Sequence, residues 1–391
     1  MTAAPAPARP DAGDGQQRAR EWATRASFLV AGINLSAWAP LVPFARDRLH
    51  AGEAELGLLL LVLGVGSVLA MPLAGWAAVR IGCRRLIVLL GLLGASCLPG
   101  LALASHPIGL AALLFVYGAA LGGMDVAINL HAVMVERQSA RPLMSGFHGC
   151  FSIGCIVGAG GVAIALWLGA TPWQATLAPV VLGALALWRH GHALLPAGSR
   201  AGERWHWPHG RLLLLGGMAF ATFLAEGAVL GWSAIALNSL QHVDVARAGS
   251  AYALFAVAMT AGRFAGDRWV GRHGGAKVLL VGTVVAVAGL LLALWSATPG
   301  PALLGYAIAG LGAANIAPLA FSAAGRQPGA SPQVAVAAVS AMGYSGSLAG
   351  PALIGLVAHA SSLPLALTLV AVGLALAAAL ASGSVRASDQ G

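Results

Sequence analysis

Two acidic residues, Asp125 and Glu226, lie inside long apolar segments of a chain in which 9% of residues are charged. A carboxylate at the centre of a membrane helix costs about 2.5–3.5 kcal/mol on insertion scales, so such residues usually mark a route for ions or substrates. A carboxyl group that is neutral when buried and ionised when wetted can carry a proton. We therefore expect Asp125 to be a coupling acid and Glu226 to be a second protonation or solute-contact site. The alternative is a structural acid, hydrogen-bonded to a neighbouring helix or paired with an arginine, but no Lys or Arg is evident in mid-span as such a partner.

Residue spacing places further polar side chains beside these acids. Residues four apart stack on one face of a helix, so Asn129 is expected beside Asp125, and Ser152 beside His148. Glu226 lies roughly 20 Å along its segment at ~1.5 Å per residue, and Asp125 lies at a similar depth counted from the opposite end. Two acids from opposite halves at one level predict a central site of the alternating-access kind.

Several polar and aromatic residues within the apolar segments are candidates for lining that site. The asparagines can equally join helices by hydrogen bonds, the histidine can be a hydrated gate residue, and packing is the alternative for the two tryptophans. The candidate solute-binding residues are Asn34, Asn129, His148, Ser152, Asn315, Trp38 and Trp232.

The composition requires a membrane protein. Hydrophobic residues make up 58% of the chain, and apolar stretches of about twenty residues recur along it, more than a soluble core can hide. Long apolar runs, rather than short alternating ones, predict helices and not a barrel. We predict an all-α membrane protein with twelve transmembrane helices, six on each side of a polar interruption.

Hydropathy and turn signals predict the boundaries of these spans. They cover residues 26–44, 55–78, 86–104, 108–135, 143–168, 173–195, 212–237, 249–270, 278–297, 302–324, 334–358 and 363–381. Residues 1–25 are predicted to be a disordered tail and 384–391 a second tail. The two helical domains are then 26–195 and 212–383, joined by a linker, 196–211, that contains Arg200, Arg204, His206 and His209.

The basic residues predict the orientation of the chain in the membrane. All but Arg46, Arg48 and Arg247 of the 22 Lys and Arg residues fall on one side of the predicted map, and cytoplasmic loops retain such residues. Both termini are therefore expected in the cytoplasm. This distribution accounts for the net charge of +9 without nucleic-acid binding. The four cysteines lack the spacing of a disulfide pair or a metal site, and no cofactor or metal is expected.

Two basic loops form a weak internal repeat. Small residues end a helix and a tight basic loop follows, in residues 75–85 and again in residues 262–277; the repeat includes Gly75, Val79, Arg80, Gly82, Arg84 and Arg85, and then Gly262, Gly266, Asp267, Arg268, Arg272, Gly274 and Lys277. This pattern resembles the loop signature of the major facilitator superfamily, which implies two pseudo-symmetric six-helix bundles. By that resemblance, Asp267 with Arg263 or Arg268 latches the inner gate. Val79 replaces the acid in the first half, and Arg80 is either a gate residue or a topology-setting charge.

The fourth and fifth spans resemble the fucose-permease-like branch of proton-coupled carriers. The fourth contains Gly123-x-Asp125-x-Ala127-x-Asn129, and His148 and Ser152 stand about where that branch has substrate-facing polar side chains. The first span has Ala37 where the fucose carrier would place a second acid, which argues against fucose itself. The resemblance implies that Asp125 and Asn129 face a central cavity.

These observations predict a secondary active transporter. The expected activity is proton-coupled symport of a small polar solute, a sugar or related metabolite, across the bacterial inner membrane by a monomer. The alternative is proton-driven efflux of drugs or metabolites, although Ala159 stands where such antiporters usually have proline. No nucleophile–base set, HExxH motif or phosphate-binding loop is present, so neither an enzyme nor an ATP-driven pump is expected. The expected partners are the solute, protons and the lipid bilayer.

Overall fold

The computed structural model describes residues 12–196, 209–328 and 330–389. All regular secondary structure in these ranges is helical. The helices of the first half are α1 (Ala12–Ala37), α2 (Val42–Leu49), α3 (Glu53–Ile81), α4 (Cys83–Leu103), α5 (Pro107–Arg137), α6 (Met144–Trp167), α7 (Pro172–Ala175) and α8 (Leu177–His190). Those of the second half are α9 (Arg211–Gln241), α10 (Val245–Ala248), α11 (Ser250–His273), α12 (Gly275–Trp295), α13 (Pro299–Ala313), α14 (Ile316–Gly325), α15 (Pro332–Ala360) and α16 (Leu363–Asp389).

Each of the twelve predicted spans has a helical counterpart, and three of them are interrupted. The first, 26–44, runs from α1 through a 3-10 turn at Ala39–Leu41 into α2. The sixth is divided into α7 and α8, and the tenth into α13 and α14. Within the described ranges, ten helical segments are long and apolar enough to cross a membrane by themselves. The other two spans are α7–α8, which is short, and α11, which carries charged residues along its second half.

The prediction of a disordered tail is wrong for residues 12–25, because α1 begins at Ala12. This first part of α1 is held against the loop that follows α5. Arg20 donates to Gln138 at 2.8 Å, and the buried Glu21 carboxylate pairs with Arg141 at 2.9 Å. Polar contacts rather than apolar burial therefore order this segment, which hydropathy cannot reveal.

The predicted tail at the other end is also partly helical, since α16 continues to Asp389. The Asp389 carboxylate accepts hydrogen bonds from the backbone amides of Gly275 and Ala276, at 2.8 and 3.3 Å. These amides have no partner inside α12, so Asp389 caps that helix. Most of the predicted linker, with Arg200, Arg204 and His206, lies outside the described residues.

The helices form two bundles with equivalent internal packing. In the first, α1 packs on α6 and α3 packs on α5; in the second, α9 packs on α15 and α11 packs on α13. Glycine permits the closest of these approaches: a side chain at Gly118 would overlap the Leu63 carbonyl, and one at Gly310 would overlap the Phe255 carbonyl. Close backbone contact through small residues is the usual way in which membrane helices associate.

The two bundles touch mainly at one end. We call the face at which α1 begins and α16 ends the proximal face, and the opposite one, which carries α2 and α10, the distal face. Among the described residues, every side-chain hydrogen bond between the bundles lies at mid-depth or towards the proximal face, and these bonds involve Asp125, Glu136, Asp267, Arg263 and their partners. The two bundles are therefore joined, and closed against each other, at the proximal end.

Candidate functional site

Asp125 lies near the middle of α5, at the boundary between the bundles. One carboxylate oxygen accepts a hydrogen bond from the Asn129 amide at 3.2 Å, as the four-residue spacing predicts. The other accepts a hydrogen bond at 3.1 Å from the hydroxyl of Ser340, on α15 of the opposite bundle. Asp125 takes part in none of the ion pairs of the described residues. Its donors are thus neutral, and one of them belongs to the opposite bundle.

A buried histidine continues this polar cluster. The Asn129 amide oxygen lies 3.2 Å from His148 Nε2, and both residues are buried. The imidazole packs between the rings of Phe28 and Phe321, with centroid separations of 5.2 and 5.7 Å. Phe28 belongs to the first bundle and Phe321 to the second, so His148 also lies at the boundary.

Arg263 lies near the middle of α11 and its side chain is 8% exposed. The guanidinium group donates to Ser152 Oγ at 2.8 Å and to Glu226 Oε1 at 3.5 Å. Its Nε donates to the backbone carbonyl of Ala314 at 3.4 Å. Arg263 therefore joins α6 of the first bundle to α9 and to the α13–α14 junction of the second.

The break in the tenth span supplies the carbonyl that Arg263 uses. Pro318 stands four residues after Ala314, and because proline has no N–H, the Ala314 carbonyl loses its helical partner. Asn315, in the same junction, donates to the Gly262 carbonyl at 3.4 Å. Interrupted helices with freed carbonyl groups at mid-depth are a common feature of transporter binding sites.

These contacts connect the two acids residue by residue, through hydrogen bonds and through the covalent structure of His148. Asp125 is bonded to Asn129, Asn129 to His148, and Ser152 donates to the His148 carbonyl at 3.2 Å. Arg263 then joins Ser152 to Glu226. The chain crosses from one bundle to the other, and we call it the central polar chain. It brings together the predicted residues Asp125, Asn129, His148, Ser152 and Glu226.

Two interpretations of the sequence are wrong. Glu226 does have a basic partner, because Arg263 is a mid-span arginine. The predicted pairing of Arg263 with Asp267 is absent from the ion pairs of the described residues. The signal was available in the sequence, since Arg263 lies seven residues inside the end of its predicted span, 249–270.

Asp267 instead binds the first turn of α6. Its two carboxylate oxygens accept hydrogen bonds from the amides of Ser145 and Gly146, both at 2.9 Å. A carboxylate at a helix N-terminus satisfies free amides and interacts favourably with the helix dipole. This contact crosses the bundles at the proximal face, and we call it the Asp267 latch.

Glu136, which the sequence analysis did not single out, strengthens the same region. It accepts hydrogen bonds from the amides of Leu143 and Met144, both at 2.9 Å. Its other oxygen pairs with Arg326 at 2.9 Å and accepts a hydrogen bond from Ser322, both in the second bundle. A cavity of about 280 Å³ lined by Glu136, Asp267, Arg326 and Asp389 adjoins the latch. An acid at the proximal end of α5 was the only sequence signal.

The remaining predicted gate residues lie elsewhere. The Arg80 guanidinium stacks over the exposed ring of Trp76, 3.8 Å from its centroid. Arg268 is exposed, and neither it nor Arg80 joins any ion pair among the described residues. Their placement fits charges that set membrane topology.

Three of the predicted solute-binding residues lie inside single bundles. The Asn34 amide donates to the Gly91 carbonyl of α4 at 2.9 Å and is fully buried. Trp38 is 5% exposed and packs within the first bundle, while Trp232 packs against the Ile354 cluster of the second. Their surroundings favour helix packing over contact with a solute.

Two six-helix bundles that meet at a polar site at mid-depth define the architecture of a helical membrane carrier. Residues 26–208 match the family model described as Major Facilitator Superfamily. An uncharacterized MFS-type transporter of Yersinia pestis is 45% identical over 365 residues, which cover 93% of this chain and 95% of that protein. The chain therefore belongs to the major facilitator superfamily, which is a family of membrane transporters.

Solved structures share the fold. The E. coli fucose:proton symporter FucP superposes with a TM-score of 0.78 and 16% identity, covering 93% of this chain and 98% of that chain. The proton:xylose symporter XylE superposes with a TM-score of 0.77 and 13% identity, covering 94% and 95% respectively.

Proposed function

We propose that this chain is a secondary active transporter that moves a small polar solute, a sugar or related metabolite, by proton-coupled symport across the bacterial inner membrane. Both termini are then cytoplasmic, and the proximal face is the cytoplasmic one. The observation that carries the proposal is the Asp125 carboxylate at the bundle boundary, hydrogen-bonded to Ser340 of the opposite bundle.

Protonation of Asp125 would act on this contact directly. A hydrogen bond to a charged acceptor contributes about 1.5–3 kcal/mol, against about 1 kcal/mol for a neutral pair. Ionised Asp125 therefore holds α5 and α15 together, and protonation weakens that hold. Opening of the proximal side then exposes Asp125 to cytoplasmic water, to which the proton is released.

The groups around Asp125 suit a hydroxylated solute. Asn129, His148 and Ser152 offer the hydrogen-bond donors and acceptors that such a solute requires. The shared fold with a fucose and a xylose symporter supports the same substrate class.

Two measurements, made one after the other, test this function. A thermal-shift screen of sugars, polyols, organic acids and common drugs identifies a solute, because a ligand of the folded state raises its melting temperature. Uptake of that labelled solute into proteoliposomes is then followed under an imposed pH gradient. We expect uphill accumulation with the wild type, and for Asp125→Asn loss of accumulation while solute exchange survives.

Asp47→Asn is the matched control, since Asp47 is exposed on α2 and its substitution should leave accumulation intact. Wild-type accumulation by Asp125→Asn would contradict the proposal. Solute movement opposite to the proton gradient would instead establish the efflux alternative.

A further inference from the structure

We infer that the transporter carries one proton per cycle, on Asp125, and that Glu226 stays ionised as the fixed partner of Arg263. This inference rests on the proposed function and adds its proton stoichiometry and the charge of its solute. The observation that carries it is that the two acids have different partners, which are neutral donors for Asp125 and an arginine for Glu226.

Asp125 and Glu226 have chemically different neighbours. The Asp125 carboxylate receives hydrogen bonds from an amide and a hydroxyl, at 3.2 and 3.1 Å, and both donors remain satisfied when the acid is protonated. Glu226 lies 3.5 Å from the Arg263 guanidinium. Its protonation would remove the negative charge that compensates a cation.

Arg263 requires that charge because, in the part of the chain that the structure describes, Glu226 is its only ion-pair partner. Its side chain is 8% exposed, and its two other acceptors, Ser152 Oγ and the Ala314 carbonyl, are neutral. An unpaired buried cation is strongly destabilising, more so than the loss of both members of a pair. Arginine itself does not give up its proton in a protein.

The other titratable groups around the two acids do not alter this balance. Tyr252 on α11 and Cys155 on α6 lie near both Glu226 and Arg263, and Tyr344 on α15 lies near Asp125. Tyrosine and cysteine are ordinarily neutral at physiological pH. His148 is separated from Asp125 by Asn129 and joins none of the ion pairs of the described residues.

These pairings determine the net charge of the site. With Asp125 protonated and Glu226 paired, the central polar chain carries no net charge, so it suits a solute without net charge. On the distal side a hydronium ion gives its proton to the carboxylate, so that one of its O–H bonds breaks as the carboxyl O–H bond forms. On the proximal side the carboxyl O–H bond breaks and the proton passes to water. Each cycle with a neutral solute then transfers one positive charge.

Infrared difference titration of the purified, solute-free protein tests the assignment. Protonated carboxyl groups have a carbonyl band that disappears as they ionise. Between about pH 6 and 9, where ordinary carboxyl groups are already ionised, we expect Asp125→Asn to remove one titrating component of that band, and Glu226→Gln and the control Asp47→Asn to remove none. Arg263→Gln should add a new component that the double variant Glu226→Gln/Arg263→Gln lacks, and this double variant also avoids an unpaired buried charge.

The outcomes separate this inference from the function on which it rests. Loss of a titrating component in Glu226→Gln would overturn the single-proton assignment while leaving Asp125-dependent transport possible. Absence of any component that depends on Asp125 would overturn both. An Arg263→Gln spectrum identical to that of the wild type would also contradict the assignment, because Glu226 would then be ionised without its partner.

Discussion

The proximal ends of α3 and α11 occupy equivalent places in the two bundles but make opposite kinds of contact. Each helix is followed by a glycine of nearly identical conformation, Gly82 with φ 82° and ψ 154° and Gly274 with φ 79° and ψ 152°. Seven residues before these glycines stand Gly75 and Asp267. Gly75 packs closely against α15 beside Ala337, whereas Asp267 binds the amides of α6.

This comparison changes the correspondence that the loop signature suggested. Counting from the two glycines, Asp267 is equivalent to Gly75, and the residue equivalent to Val79 is Gly271. Neither half therefore has an acid three residues before the turn. The polar latch of the second half corresponds to a close apolar contact in the first, rather than to a weakened latch.

The helices that receive these contacts are capped differently as well. The first turn of α6 has no cap from its own preceding residue and depends on Glu136 and, across the bundles, on Asp267. The first turn of α15 is capped within its own bundle by Ser331, whose hydroxyl accepts from the Val334 amide at 3.4 Å. Opening the proximal face must break the first arrangement but not the second.

The largest effect should come from Asp267→Ala, which removes the latch. Two charge-assisted hydrogen bonds are lost, each worth about 1.5–3 kcal/mol, and hydration of the freed amides offsets part of this. We expect a net change of about 2 kcal/mol, or roughly a thirtyfold rise in the proximal-open population. Double electron–electron resonance reports this population as the distance between spin labels at the exposed positions 84 and 272. The labels are attached in a background in which serine replaces Cys150 and Cys155. An unchanged distance distribution would mean that Asp267 does not hold the proximal face closed.

Gly75→Ala tests the apolar counterpart. The added methyl carbon would lie 2.8 Å from Ala337 Cβ and 3.2 Å from the Gln333 carbonyl oxygen, so α3 and α15 must separate. Overpacking costs about 1–3 kcal/mol, and for a single methyl we expect the lower end and roughly a fivefold rise in the open population. Gly57→Ala on the same helix has no neighbour within 4 Å and is the matched control. If Gly75→Ala and Gly57→Ala gave the same spin-label distances, Gly75 would not be part of the closed interface.

Ser340→Ala should have a smaller effect, localised at the coupling acid. It deletes the bond between Asp125 and the opposite bundle, worth about 1.5–3 kcal/mol to an ionised acid before any replacement donor offsets the loss. We expect reduced pH dependence of the spin-label distance and partial uncoupling of solute uptake from the proton gradient. Ser345→Ala, on the same helix with a bond only to its own backbone, should behave as the wild type. A variant at position 340 with intact pH dependence would show that this bond does not transmit protonation.

Ser331→Ala should have the smallest effect on conformation. Loss of an N-cap costs about 1 kcal/mol, but the contact lies within one bundle, so separation of the bundles does not require it to break. We expect a lower melting temperature with no change in the spin-label distance. A shift towards the open state would contradict the distinction between a cap within one bundle and a latch between bundles.

Local arguments from the sequence succeeded where one helix suffices. The spans follow from apolar length, and the Asp125–Asn129 contact follows from four-residue spacing. Failures occurred where two distant helices meet: the Arg263–Glu226 pair needs α9 and α11 side by side, and the Ala314 carbonyl matters only because Pro318 leaves it free beside Arg263. Hydropathy does not show which of the distant helices pack side by side.

The predicted equivalence of Asp267 and Val79 was wrong for a different reason. The two loops differ in where their charges fall, and the equivalent positions become evident only from the matching backbone angles of Gly82 and Gly274. Likewise, the helical start of α1 depends on Arg141 and Gln138, which lie more than a hundred residues away.

The central claim is that protonation of Asp125 controls whether the two bundles separate at the proximal face. The most direct test measures the distance between spin labels at positions 84 and 272 as a function of pH, without solute, in the wild type and in Asp125→Asn. Because protonation weakens the Ser340 bond, we predict that lowering the pH lengthens the wild-type distance. Asp125→Asn should give the long distance at every pH. The same pH response in both proteins would contradict the account.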